Sequence, residues 1–164
     1  MLSKCMLFTV SQFLVPLSLQ IYYDIYPMYL SLTGVFLMGI FYHNHLLKTN
    51  NKPYKPYKIF DMTLVSIASL LVLMYGKNNI KILLFCFSCP ILYGISIFKN
   101  NSYVHSMLHM AAISSSTLLV FHLKNKNFEA IDSLIVTMSS YIGYICYKRS
   151  LEFFENNNSL QDKK

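Results

Sequence analysis

Six ionisable side chains lie within or at the ends of long apolar blocks: His43, His45, Asp61, His105, His109 and His122. His105 and His109 are four apart, so on a helix they stand one turn above the other and can grip one ion together. His43 would bring the set to three neutral imidazoles with one position left open. That is the donor set of hydrolytic zinc sites, where the metal lowers the pKa of a bound water to about 7. Asp61 is the carboxylate available to orient that water or take its proton, or else to fix an imidazole tautomer from behind. His45 lies two residues from His43 and faces elsewhere, and His122 sits at the far end of its block. Both read as interfacial or helix-bridging histidines.

The elements that must position these groups follow from composition. Of 164 residues, 54% are hydrophobic and only 13% charged, against about 25% charged in soluble domains. The apolar residues come in six blocks near the roughly 20-residue length of a membrane span, at about 5–22, 28–47, 59–76, 80–98, 103–123 and 128–147. Runs such as 80–98 are apolar on every face, unlike the alternating strands of a barrel. The predicted fold is all-α, a polytopic helical membrane bundle of about six spans over residues 1–150. A polar tail, 151–164, is expected to be disordered. No room remains for a soluble catalytic domain. Pro16 and Pro90 fall mid-span and predict kinks.

Lys and Arg divide ten to four between the two sides of this arrangement. The positive-inside rule then places the N-terminus, the 48–58 loop and the tail in the cytoplasm. The sequons at Asn100 and Asn157 fall on the cytoplasmic side as well. With that orientation, His43, Asp61, His105 and His109 reach one layer of the cytoplasmic leaflet from three different spans. The stretch from Lys52 to Lys58 alternates lysine with tyrosine and proline, and reads as a topology anchor with interfacial tyrosines. Cys5, Cys86, Cys89 and Cys146 all sit in apolar blocks, which suits small apolar side chains better than a disulfide framework.

These residues resemble a known pattern. Gly39-Ile-Phe-Tyr-His43, Ile59-Phe-Asp61 and His105-Ser-Met-Leu-His109 are similar to the scattered motifs of the superfamily of alkaline ceramidases, progestin and adiponectin receptors, hemolysin III-like proteins and Per1 proteins. The resemblance covers about residues 28–123. It implies zinc held by His43, His105 and His109, Asp61 beside the metal's water, and hydrolysis of a lipid amide or ester. The chain departs from the pattern in two ways. Gly39 stands where the family has a serine, and one span rather than three separates the Asp helix from the His-x-x-x-His helix, with a further span after it.

Other readings have narrower support. Cys86-Phe-Ser-Cys89 suggests a membrane thiol oxidoreductase but lacks a relaying cysteine pair. A haem held by His43 and His105 or His109 leaves Asp61 unused, and transport lacks an internal repeat. The main rival is a non-enzymatic membrane protein, receptor-like, fusion-associated or a scaffold, with a structural or vestigial metal site. The expectation is a zinc-dependent lipid hydrolase whose acyl chains lie among spans two, three and five. Small residues Ala68, Ser69, Ala112 and Ser116 would allow close helix approach there.

Overall fold

Pro16 has no amide hydrogen to offer the Gln12 carbonyl four residues back, and the first apolar block breaks at Gln12 and Phe13. The computed structural model, which describes residues 2–26, 28–49, 54–99, 101–125 and 127–161, cuts that block into α1 (Leu2–Ser11) and α2 (Leu14–Tyr22). At the cut, Gln12 and Phe13 donate to the carbonyls of Thr9 and Val10, three residues back, at 3.2 and 3.0 Å. The other elements are α3 (Met28–Lys48), α4 (Lys55–Gly76), α5 (Ile80–Lys99), α6 (Ser102–Lys124) and α7 (Ala130–Gln161). Every regular element among the described residues is helical, and the architecture is an all-α bundle. α5 runs through Pro90 without a break.

The helix ends are set by local chemistry. After α2, Asp24 takes the left-handed conformation at φ 51°. Ile25 then donates to the Gln20 carbonyl at 2.9 Å and Asp24 to that of Ile21 at 3.1 Å, which is a Schellman stop with aspartate in place of glycine. The Asn79 side chain accepts from Lys81 and Ile82 at the start of α5. Asn101 does the same for Tyr103 and Val104 at the start of α6. Each cap satisfies amides that have no partner within the helix.

α6 is the central rod, packed on α1, α2, α4 and α5, while α3 packs on α1, α2 and α4 and α7 on α1 and α2. One core cluster gathers Leu19, Ile25, Val72, Ile82, Leu119 and Val120, and a second gathers Phe13, Leu17, Leu32, Val35 and Ile113. Among the described residues, the α1–α2 rod, α4, α5 and α6 are long and apolar enough to cross a membrane. α4 and α5 bury little of themselves in the bundle and carry bare Ile67, Leu70, Leu84 and Phe87, the surface of a helix solvated by lipid.

In the expected tail, residues 151–161 continue α7 to Gln161, and 162–164 lie outside the described residues. No proline or glycine interrupts this stretch. Glu152 pairs with Lys148 at 4.0 Å and Arg149 at 3.4 Å, on the same helical face.

At the opposite end of the bundle from the 48–58 loop, the Tyr23 hydroxyl donates to Asp132 Oδ1 at 2.6 Å. The Glu129 amide donates to Asp132 Oδ2 at 2.8 Å, so Asp132, fully buried, closes half a capping box at the start of α7. The hydrogen bond to Asp132, with burial and the charges of Asp132 and Glu129, pushes the Tyr23 phenol from 10.0 up to about 12. Because the folded value is the higher one, this bond's stabilisation is complete below pH 10.0 and is lost as pH rises through about 12. Denaturation of the wild type and Tyr23→Phe across alkaline pH should show a constant stability gap that closes over that window. A gap that persists above it would show that the bond plays no part.

Candidate metal centre

α3 and α6 each project histidine from a turn that faces the other helix. His43 is 1% exposed, and its ring meets those of His105 and His109 edge-on at 5.6 and 5.2 Å between centroids. His105 and His109 meet at 4.7 Å. One nitrogen from each of the three lies within 4.8 Å of the others. The histidines expected to converge therefore do converge.

The donors suit a metal. Nδ1 of His43 is buried with no hydrogen-bond partner, a condition that costs about 1–3 kcal/mol when nothing satisfies it. Three imidazoles without thiolate favour zinc or another borderline divalent ion. Tetrahedral zinc–nitrogen bonds of about 2.0–2.1 Å would set the nitrogens roughly 3.3 Å apart, inside the 4.8 Å within which they lie.

Asp61 comes from α4 and is not part of the group of nitrogens that His43, His105 and His109 bring within 4.8 Å of one another. A Cβ built at Gly39 would lie 3.9 Å from Asp61 Oδ1, and Gly39 is one turn from His43 on the same face of α3. Tyr42 and Tyr93 both lie close enough to feel the Asp61 charge. The Tyr93 ring also approaches His105, at 6.4 Å.

α1 makes a wall that the histidine and aspartate spacing did not reveal. It packs against both α3 and α6, bringing Thr9 Oγ1 within 2.8 Å of His109 Nδ1 and the Phe13 ring within 6.0 Å of the His109 ring. Ser106 donates to Cys5 Sγ at 3.3 Å along the same seam. Cys5, Thr9 and Phe13 follow one another at four-residue steps, a faint stripe in an otherwise apolar block. Gly39 is also set against α1: its missing Cβ would fall 2.8 Å from Val10 Cγ1.

The remaining histidines lie apart. His45 packs against Tyr54 and Tyr57 at 5.7 and 5.5 Å, and His122 faces Asn79 at 3.5 Å. Beyond His109 along α6, a cavity of about 40 Å³ is lined by Ala68, Ser69, Ala112 and Ser116 together with Phe13 and Cys89. The four small residues expected to permit close approach thus border one space, sized for ordered water rather than an acyl chain. Comparison with protein-family models, curated proteins and solved structures finds no match.

Proposed function

We propose that this protein is a six-span membrane hydrolase, with both termini cytoplasmic, that uses zinc to cleave an amide or ester bond in a lipid. The observation that carries the reading is the buried convergence of His43, His105 and His109 around an unpartnered His43 nitrogen. The motif resemblance to the alkaline ceramidase superfamily and the lysine bias of the 48–58 loop agree with it. In this reading α3 and α7 complete the six spans.

The three histidines would hold the ion. When bound, zinc supplies Lewis acidity toward a water and a lipid carbonyl. Asp61, near the Gly39 side of α3 and close to Tyr42 and Tyr93, accepts the water's proton and returns it to the leaving group. Phe13 and the α1 wall keep bulk water from His109. With purified protein and a panel of ceramide, lysophospholipid and diacylglycerol, Asp61→Asn should keep its zinc and lose about 10²–10⁴-fold in turnover. Equal turnover in the two proteins would remove Asp61 from the reaction.

One observation favours the rival reading, a non-enzymatic membrane protein that keeps the metal structurally. A serine at position 39 would press its Cβ on Val10, so the packing of α1 on α3 leaves no room there for a side chain, the family's serine included. Zinc bound by the wild type with no hydrolysis of any lipid in the panel would select this rival.

A further inference from the structure

Thr9 lies outside every motif that pointed to the centre, yet its hydroxyl meets the His109 ring. A hydroxyl has one proton to give. Thr9 Oγ1 is 3.0 Å from the Met6 carbonyl oxygen, within α1, and 2.8 Å from His109 Nδ1. With the proton donated to Met6, the oxygen turns its lone pair to the ring. The group that α1 offers to Nδ1 therefore calls for a donor there.

We infer that α1, through Thr9, fixes His109 as its Nδ1–H tautomer and so leaves Nε2 as the nitrogen with a free lone pair for an ion shared with His43 and His105. Thr9 is a positioning residue, acting through His109 and touching neither metal nor substrate. A ligating histidine commonly has its other nitrogen held in this way, and the loss of such a partner weakens metal binding by about 10–100-fold. The inference deepens the metal reading and rests on it for its consequence, though not for its geometry.

The test compares wild type, Thr9→Val and Thr9→Ser as full-length, detergent-purified chains. Histidine-selective ¹⁵N NMR of the metal-free proteins reads the His109 tautomer, and titration with zinc alone reads affinity. Wild type and Thr9→Ser should hold the proton on Nδ1. Thr9→Val should mix the tautomers and bind zinc about 10–100-fold more weakly, with Thr9→Ser restoring affinity. Valine matches threonine in shape, so a purely packing role for Thr9 would leave both readouts unchanged. A wild-type ring protonated on Nε2, or a Thr9→Val protein with wild-type tautomer and affinity, overturns the inference. A Thr9-dependent Nδ1–H ring in a protein that takes up no zinc supports it while overturning the metal reading, so the two fail separately.

Discussion

Purified in detergent and equilibrated with zinc, the wild-type chain should carry about one zinc per molecule, while His43→Ala and the double change His105→Ala/His109→Ala should carry essentially none. The reason is cooperative. No single helix offers three ligands: α6 supplies two and α3 the third, and two imidazoles on one helix face make a weak site without it. Affinity should fall by more than the hundredfold at the upper end of what an outer partner contributes. His45→Ala and His122→Ala should keep the metal, because those rings rest on Tyr54 and Tyr57 and face Asn79. Elemental analysis of the five proteins decides it. A metal-free wild type would return the three histidines to helix packing.

The second large effect is on stability. Gly143 on α7 lies where that helix crosses the α1–α2 break. A Cβ there would meet the Ser11 carbonyl oxygen at 2.7 Å, its carbon at 3.3 Å and Gln12 Nε2 at 3.1 Å. Two of these are backbone atoms that cannot rotate aside, so α7 must lift off α1. Gly143→Ala should destabilise the protein by about 1–3 kcal/mol, and Gly143→Val by more. Gly94, on α5, has nothing within 4 Å of its would-be Cβ. Gly94→Ala should therefore act in the opposite sense, stabilising by roughly 0.5–1 kcal/mol through helix propensity. Thermal or denaturant unfolding of the two alanine variants in one detergent compares them directly, and the same sign for both would refute the packing argument.

What was legible in the sequence was punctuation and period. Asp24, Gly76 to Asn79 and the asparagines near 100 and 125 are residues that caps and left-handed stops require, so the limits of α3 to α6 fell within a few residues of those expected, while the break at Gln12 and Phe13 and the run of α7 to Gln161 did not. The pairing of His105 with His109 was legible because four residues make one turn, and the convergence with His43 because depth in a bundle follows from counting spans. The role of α1 was not legible. Thr9 in an apolar helix ordinarily hydrogen-bonds its own backbone, as it does to Met6, and only tertiary packing adds a second partner. Asp132 was overlooked although an acid three residues after a helix start is a capping signal.

The wall that α1 forms has a consequence for how the protein is made. Thr9 and His109 are 100 positions apart, and Cys5 and Ser106 are 101 apart. At about 5–20 residues per second, synthesis separates the two sides of this seam by roughly 5–20 s. During that interval α1 must wait beside α3 in the bilayer with Thr9 unmatched by any imidazole. Completion of α6 brings the three histidines into one chain, and α7 then packs on α1 and α2. Chains halted before His105 would lack two of the three histidines, so uptake of the proposed metal would report that α6 has been made.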